Sequence, residues 1–184
     1  WVLLANYCDK TLLRTAIAFK LSRLMRFPWT PDDRFVELVL NGEYLGNYQL
    51  VEPVEQGTNR VDIPDDGFLF ERDGYYNQEV NYFVSSRGYG FSFKNPDPEE
   101  DLTPQQWEYI KNYVDTFEGV LASSTFNDPQ DGYARFIDVA SFVRWFVYHN
   151  ILANMDTNVY MVKEDMGNSK IEMYPVWDFE WSLG

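Results

Sequence analysis

Hydrophobic and polar residues alternate with two different periods along this chain. Near the N terminus, apolar residues recur at helical spacing through "DKTLLRTAIAFKLSRLM", with basic residues between them. Asp9 is predicted to cap this helix, and Pro28 and Pro31 are predicted to end it. The run that precedes the helix, "WVLLANY", is typical of a short buried strand. We therefore expect one strand and one helix before Pro31.

The clearest pattern is a pair of apolar runs on either side of a two-residue turn. The stretch "RFVELVLNGEYLGNYQLVE" places β-branched and aromatic residues around Asn41-Gly42. Asn and Gly tolerate the positive φ angles of a tight turn, so this stretch predicts a β-hairpin. Three further runs, "GFLFERD", "NYFVSS" and "YGFSFKN", are typical of strands. The first half of the chain is therefore expected to be mostly β with one helix.

Helical spacing returns in the second half of the chain. Thr103 and Gln106 have the spacing of a capping box, and Pro104 stands at the first helical position. A second, very apolar helix is predicted in "DVASFVRWFVYHNILANMD". The runs "NVYMVKED" and "KIEMYPVWDFE" predict a final β-hairpin. We therefore expect an α+β fold: one domain over residues 1–184, with a β-rich lobe (1–95) and a helical part (96–184) that carries this hairpin.

Composition narrows the classes of function. With 29 acidic and 15 basic residues the formal net charge is -14, which argues against binding a nucleic-acid backbone or an anionic membrane as the main function. No apolar run reaches the length of a membrane span, so we expect no membrane insertion. Because the chain has a single cysteine, it can form neither an internal disulfide nor a cysteine-based zinc site. It also has a single histidine, which any Ser-His-Asp or Cys-His triad would have to use. We expect Cys8 to be a small core residue. His149 is expected to be packed and hydrogen-bonded on its apolar helix.

Polar residues gather at the two ends of the final predicted hairpin. Asp156 and Asn158 stand where the apolar helix ends and a strand begins, and Asp178 and Glu180 leave the partner strand. A hairpin brings its ends together, so Asp156, Asn158 and Asp178 could share one site. Two carboxylates and an amide oxygen form a hard site that suits Mg²⁺. The alternative is that these residues only cap backbone groups.

Six segments occur in an order that a known family shares: "LLANYCDKTLLRTAIAFKLS", "FVELVLNGEYLGNYQLVE", "TNRVDI", "FSFKNPDPEE", "NMDTNVYMVK" and "PVWDFEWSLG". Together they resemble the spore coat protein H-like (CotH) kinase family over nearly the whole chain. The hairpin core N-G-x-Y-x-G-x-Y and the terminal W-D-F-[DE]-x-x-x-G are the most specific motifs. The resemblance implies an atypical protein-kinase-like fold and a Mg²⁺- and ATP-dependent phosphoryl transfer to Ser or Thr of a protein.

The resemblance also implies roles for individual residues. Asp156 resembles the catalytic Asp that orients the substrate hydroxyl. Asn158 resembles the Mg²⁺-binding Asn, although it follows the Asp by two positions where ordinary kinases have five. Asp178, followed by Phe179, resembles the D-F-G Asp that holds Mg²⁺ on the phosphates. Glu180 stands where the family usually has a second Asp, and is expected to be a further metal ligand.

On the nucleotide side, Lys94 in "SFKNPDP" matches a lysine that the family often carries, and is expected to bind ATP. The alternative is a surface lysine at the end of a strand. Glu52 is expected to pair with a lysine, as in ordinary kinases. The family frequently has a lysine soon after this Glu, where here Pro53 and Glu55 stand, and that departure weakens the case for ATP. The family continues beyond a glycine in this motif, so we expect the domain to be truncated at its C-terminal end.

The resemblance and the acidic surface together suggest a partner and a location. The expected substrate is a protein, basic and Ser-rich, and the expected location is extracellular or at the cell surface. Two other functions stay open. One is a non-catalytic binding or adhesion domain on the same fold. The other is a hydrolase that uses Asp156 and Asp178 as an acid–base pair across a sugar-sized cleft, with no metal.

Overall fold

The computed structural model describes residues 1–155 and 159–183, and within them the chain has an α+β fold, as predicted. The strands are β1 (Val2–Leu4), β2 (Asp33–Leu40), β3 (Glu43–Val51), β4 (Phe68–Arg72), β5 (Tyr82–Val84), β6 (Gly90–Asn95) and β7 (Val159–Lys163). The α-helices are α1 (Arg14–Leu24), α2 (Pro104–Leu121) and α3 (Val139–Leu152), with short 3-10 turns at Tyr76–Gln78 and Tyr133–Arg135. None of the helices in the described part combines the length and apolarity that a membrane span needs.

The first sheet contains the predicted hairpin. Its strand order is β1-β3-β2, antiparallel throughout. Between β2 and β3, φ is positive at both Asn41 (52°) and Gly42 (84°), which is the backbone conformation that a two-residue hairpin turn requires. The hairpin predicted from Asn41-Gly42 is therefore confirmed.

Gly42 offers a test of this turn. A Cβ atom added there would meet no atom within 4 Å, so any cost comes from the backbone conformation alone. A β-branched residue cannot adopt a φ of 84° without strain. We expect Gly42→Val to lower the free energy of unfolding by about 1–3 kcal/mol, measured by chemical or thermal denaturation. Gly42→Asn is the matched control and should lose much less, because Asn tolerates this region. Equal stability of the Val variant and the unmodified protein would contradict this account.

The second sheet combines both halves of the chain. Its order is β5-β6-β4-β7, so β7 pairs with the central strand β4. The predicted final hairpin is only partly formed, because its second arm is reduced to a bridge between Val162 and Glu172. Beyond that bridge, the amide of Met173 donates to Ser141 Oγ, and Pro175 has no amide to donate. The backbone therefore leaves the sheet before the segment that carries the two predicted acids.

Apolar residues cover both faces of the second sheet. On one face, phenylalanines of β4, β5 and β6 pack against α2, where Ile110 is fully buried. On the other face, Leu69 and Val162 pack in a cluster with Phe19 of α1 and Tyr148 of α3. This second face is where the polar residues described below lie.

The first turn of α1 differs from the prediction. Leu13 occupies the N-cap position, so Asp9 is not the N-cap residue. The segment between them bends through Leu12, whose φ is 61°. The buried Asp9 carboxylate instead accepts hydrogen bonds from the amides of Thr11 and Arg14. Asp9 still satisfies an amide of the helix, but across a turn that helical periodicity does not reveal.

The other helix starts agree with the sequence. Thr103 and Gln106 form the predicted capping box, with Pro104 as the first helical residue.

The predictions for the single cysteine and the single histidine of the chain have different outcomes. Cys8 is exposed, so its prediction as a core residue is wrong. His149 is buried and donates from Nδ1 to a backbone carbonyl of its own helix, as expected for a packed histidine.

Candidate functional site

A line of polar side chains crosses one face of the second sheet. Glu71 of β4 lies directly opposite Tyr160 of β7 in the strand register. The Nζ atom of Lys94, on β6, lies 3.5 Å from Glu71 Oε2 and 3.6 Å from Glu79 Oε1. We call these four residues, Glu79, Lys94, Glu71 and Tyr160, the polar row. It places one lysine between two carboxylates in the middle of the sheet.

A β-bulge gives Lys94 its direction. Phe93 lies opposite Phe70, but Asn95 lies opposite the residue just before Phe70, so Lys94 is the extra residue on β6. Bulges bend a strand and re-aim its side chains, and they are common beside active sites. Phe93 accordingly packs into the core beneath α2, whereas the adjacent Lys94 reaches Glu71.

Glu71 is the most shielded charge in the polar row. Its side chain is only 8% exposed. Burial raises the pKa of Glu71 to about 7, against the attraction of Lys94, and the negative charge of Asp73 adds to the rise. Hydrogen bonds from Tyr160 and Lys94 favour the ionised carboxylate. Glu71 therefore changes charge near neutral pH, where an ordinary glutamate is fully ionised.

A buried hydroxyl lies beside this pair. Ser92 is opposite Glu71 in the strand register and is fully buried. Its Oγ atom has no hydrogen-bond partner within residues 1–155 and 159–183. Buried polar groups nearly always have a partner. The Ser92 hydroxyl is therefore an unpaired polar group beside Glu71.

The two predicted acids lie in a loop, residues 177–183, that we call the acidic loop. Asp178 is exposed and has a left-handed φ of 56°, and Glu180 is partly buried. Between them Phe179 is fully buried and packs edge-on against Phe19 and Tyr148, with ring centroids 6.3 and 5.6 Å away. The buried ring fixes the backbone from which the two carboxylates project, as a metal-binding or catalytic loop requires.

Two side chains also hold the backbone of the acidic loop. Asn154, just after α3, donates from Nδ2 to the carbonyl of Asp178 at 3.3 Å. Arg14, the first residue of α1, donates from Nη1 to the carbonyl of Glu180 at 2.8 Å. The Arg14 Nε atom in turn lies 3.7 Å from the buried Asp9 carboxylate. Both α1 and α3 therefore position the loop.

The acidic loop packs on the face of the second sheet that carries the polar row. Phe179 of the loop and the ring of Tyr160 belong to the same apolar cluster. Burial raises the pKa of Tyr160, and the negative charges of Glu71, Asp73 and Asp178 raise it further. The lysine with its two carboxylates and the acidic loop therefore lie on one side of the sheet.

The predicted metal ligands divide into two groups. Asp178 and Glu180 lie in the acidic loop, whereas Asp156 and Asn158 fall outside the described residues, so their roles stay predictions. Across the described ranges, no three side chains of His, Cys, Asp or Glu are grouped so as to hold a metal ion. Mg²⁺ commonly takes only one or two carboxylates from the protein and the rest of its ligands from phosphate and water. The hard oxygen donors of the acidic loop fit that ion.

The predicted nucleotide residues occupy different places. Lys94 lies in the polar row. Glu52 lies just beyond the end of β3, where its Oε2 atom accepts a hydrogen bond from the amide of Asp32 at 2.9 Å. The carboxylates observed next to Lys94 are those of Glu71 and Glu79. A role for Glu52 in nucleotide binding stays a prediction that no contact with Lys94 supports.

Glu71 and Tyr160 were not singled out by the sequence. The available signal was an acid within "FLFER", a run whose first four residues are all buried. A carboxylate in a buried strand is rarely present without a charged partner. Tyr160 carried no such signal, because a tyrosine in an apolar strand is ordinary.

Comparison with known proteins adds one positive result. The curated proteins contain no match to this chain. The family model described as "CotH kinase protein" matches residues 1–184, which include the polar row, the acidic loop and every helix and strand between them. The chain belongs to the CotH kinase family.

Proposed function

We propose that this protein transfers the terminal phosphoryl group of Mg²⁺-ATP to a Ser or Thr hydroxyl of a protein substrate. In this reaction the hydroxyl oxygen forms a bond to the γ-phosphorus, the bond to the β,γ-bridging oxygen breaks, and ADP leaves. Membership of a kinase family supports phosphoryl transfer in general. The identity of the nucleotide, the metal and the acceptor is our proposal.

One observation carries the proposal: Lys94, paired with the buried Glu71, lies on the same face of the second sheet as the acidic loop with its two acids. Phosphoryl transfer needs positive charge on the phosphates and carboxylates that hold Mg²⁺. Lys94 meets the first need, because its ammonium group is partly exposed and oriented by Glu71. Asp178 and Glu180 meet the second need from the acidic loop.

Each residue then has a defined task. Lys94 binds phosphate oxygens, and Glu71 keeps the lysine in place. Asp178 and Glu180 hold Mg²⁺ together with Asn158, and the bound ion neutralises charge on the phosphates. Asp156 orients the acceptor hydroxyl and takes its proton as the new bond to phosphorus forms. Catalysis is then positioning and charge stabilisation, with no covalent enzyme intermediate.

The acceptor and the location follow from charge and family. With a formal net charge of -14, the protein attracts basic segments over distances of about 10 Å at moderate salt. We therefore propose a basic, Ser-rich protein as the acceptor. A location at the cell surface or outside the cell is proposed because the family is associated with the spore coat.

A non-catalytic binding domain is the second candidate. The observation that favours it is the stretch after Glu52, where the family often carries a lysine. Here Glu55 stands in that stretch and forms an ion pair with Arg60. The lysine that the family often carries after this Glu is therefore missing here. A phosphate bound on this face of the second sheet would depend on Lys94.

Binding and transfer assays separate these candidates. Titration calorimetry should detect ATP binding that requires Mg²⁺. Incubation with γ-labelled ATP and a basic Ser-rich protein should move the label to Ser or Thr of that protein. Absence of both nucleotide binding and label transfer in the full protein would end the kinase proposal and leave the binding domain.

Lys94 can be tested by itself. We expect Lys94→Met to weaken Mg²⁺-ATP binding by about tenfold, because one charge-assisted contact to phosphate is lost while the aliphatic stem is kept. Calorimetry at constant salt measures the change. Lys20→Met is the matched control, since Lys20 is an exposed lysine of α1. Equal affinities of the Lys94 and Lys20 variants would remove Lys94 from the nucleotide site.

A further inference from the structure

Strand β2 is the one long open edge of the two sheets, within residues 1–155 and 159–183. It lies at the end of the order β1-β3-β2 and runs over eight residues, Asp33–Leu40. Strand β3 pairs with it on one side, and no other helix or strand of the described residues packs along it. The backbone on its outer side is therefore open to a further strand.

The other described sheet edges are blunted. Strands β1 and β5 contain three residues each, and the outer side of β7 forms the bridge between Val162 and Glu172. Natural proteins protect sheet edges by such means, or with lysine, proline or a bulge, because an open edge pairs with other chains. The sequence of β2, "DRFVELVL", contains neither lysine nor proline, and the bulge in its ladder lies in β3, where Leu45 is the extra residue. An edge left open beside blunted ones indicates a partner.

The ladder with β3 determines which backbone groups of β2 face outward. The amide of Glu52 donates to the carbonyl of Asp32 at 3.0 Å, just before the first residue of β2. In an antiparallel pair, residues whose amides and carbonyls bond across the ladder alternate with residues whose groups point away from it. Val36 therefore directs its backbone groups to β3, whereas those of Phe35 and Glu37 point outward. A partner strand would pair with Phe35 and Glu37.

The side chains of β2 define the chemistry of that partner. Glu37 is exposed and forms no ion pair with any residue in the described ranges. On the other face of the strand, Val36 and Leu38 lie opposite Tyr48 and Gly46 of β3, so this face is apolar. Neighbouring strands interact through side chains on the same face. The favoured partner therefore has basic residues beside Glu37 that alternate with apolar residues beside Val36 and Leu38.

We propose that the outer edge of β2 binds an extended segment of another protein, in which basic residues alternate with apolar ones, as an additional strand of the first sheet. The formal net charge of -14 favours a basic segment. The same charge disfavours a second copy of this chain, because two strongly acidic proteins repel each other. The proposal does not rest on phosphoryl transfer and applies equally to a non-catalytic binding domain.

The first experiment measures binding of a synthetic probe, the peptide Lys-Val-Lys-Val-Lys-Val-Lys with both termini blocked. Fluorescence anisotropy of the labelled peptide gives its affinity for the whole chain at constant salt. The control peptide has the same sequence with a fully N-methylated backbone, which keeps the charge and removes every amide donor. It should bind at least about tenfold more weakly, because the backbone pairing is lost. Equal binding of the two peptides, or no binding of the probe up to about 1 mM, would overturn the proposal.

Amide hydrogen exchange, followed by NMR, identifies where the probe binds. In the free protein the amides of Phe35 and Glu37 should exchange fast, because they point to solvent. A saturating amount of the probe should slow their exchange by about tenfold or more. The amides of Arg34 and Val36 already pair with β3 and should change much less. Binding that leaves Phe35 and Glu37 unprotected would place the probe elsewhere and contradict the proposal.

Two variants at Glu37 separate charge from backbone pairing. Glu37→Lys should weaken probe binding by roughly three- to tenfold, because an attraction between exposed charges becomes a repulsion. Glu37→Pro should weaken it by at least about tenfold, since proline removes the outward amide and is tolerated on an edge strand. Glu108→Lys makes the same change in net charge on α2, where Glu108 is exposed, and is the matched control.

Thermal melts establish that each variant is folded, and Glu37→Lys decides the outcome if Glu37→Pro does not fold. Equal affinities of the Glu37→Lys and Glu108→Lys proteins for the probe would overturn the proposal.

A second copy of the chain at this edge has its own signature. Sedimentation of the free protein would then show a dimer, and protection of the Phe35 and Glu37 amides would rise with protein concentration in the absence of the probe. That result would assign the edge to self-association and overturn the proposal of a basic segment. We expect a monomer in which both amides exchange fast at every protein concentration.

Discussion

Asp156→Ala should remove phosphoryl transfer while leaving nucleotide binding largely intact. If Asp156 orients the acceptor hydroxyl and takes its proton, its loss should lower kcat by about 10²–10⁴-fold, the range for a positioned general base. In the proposed site the phosphates are held elsewhere, by Lys94 and the acidic loop, so Mg²⁺-ATP affinity should stay within about tenfold. Steady-state transfer of labelled phosphate and calorimetry on the same preparation measure the two quantities.

The split between the two measurements is the informative result. A variant that loses binding and transfer together would make Asp156 a ligand or a structural residue. Glu108→Ala is the matched control, because it removes an exposed carboxylate from α2 on the far side of the second sheet. If the protein is a binding domain, neither form transfers phosphate and the partner affinity does not respond to Asp156→Ala.

Local patterns predicted most of the fold. The Asn41-Gly42 turn and the Thr103–Gln106 capping box depend on residues within a few positions of one another, and both are present. The start of α1 depends on more. Asp9 reaches the amide of Arg14 five residues later, after a left-handed residue at Leu12. Helical periodicity contains no information on that bend, so the predicted cap was wrong.

Long-range pairing explains what else the sequence did not predict. Strand β7 was expected to pair mainly with the segment that follows it, but it pairs with β4, about 90 residues earlier. The second arm of the hairpin is left with a single bridge at Glu172. The acidic loop is therefore positioned by packing of Phe179 and by Arg14 and Asn154, and not by a regular strand.

The sequence singled out Asp178 and Glu180, because carboxylates in an aromatic frame are conspicuous, and their role as metal ligands stays a prediction. It did not single out Glu71. Glu52 was expected to pair with a lysine, whereas the carboxylates observed next to Lys94 are those of Glu71 and Glu79. The β6 bulge and the β4–β6 register decide which carboxylate Lys94 meets. Neither is encoded in residue spacing, although a lone acid in the buried run of β4 was a usable signal.

Asp178→Asn should nearly abolish Mg²⁺-dependent nucleotide binding and leave the fold intact. The change removes the charge of a proposed metal ligand and keeps its size and one side-chain oxygen. We expect a loss of about 2–3 kcal/mol in binding free energy, the scale of one charge-assisted contact, which is roughly a 30- to 150-fold weaker affinity. Asp178 is exposed, and Asn also tolerates the left-handed φ of 56°. Stability should therefore change little.

Calorimetry with and without Mg²⁺ tests whether the lost affinity depends on the metal. In Asp178→Asn the difference between the two titrations should shrink, because Glu180 and Asn158 alone should hold the ion less well, while the contact of Lys94 with phosphate needs no metal. Glu108→Gln, which removes one exposed negative charge from α2, should keep the full Mg²⁺ effect and thereby correct for the change in net charge. Thermal melts of both variants separate metal binding from folding. Unchanged Mg²⁺-ATP affinity in a folded Asp178→Asn protein would remove the acidic loop from the nucleotide site, and with it the main support for a metal-dependent kinase.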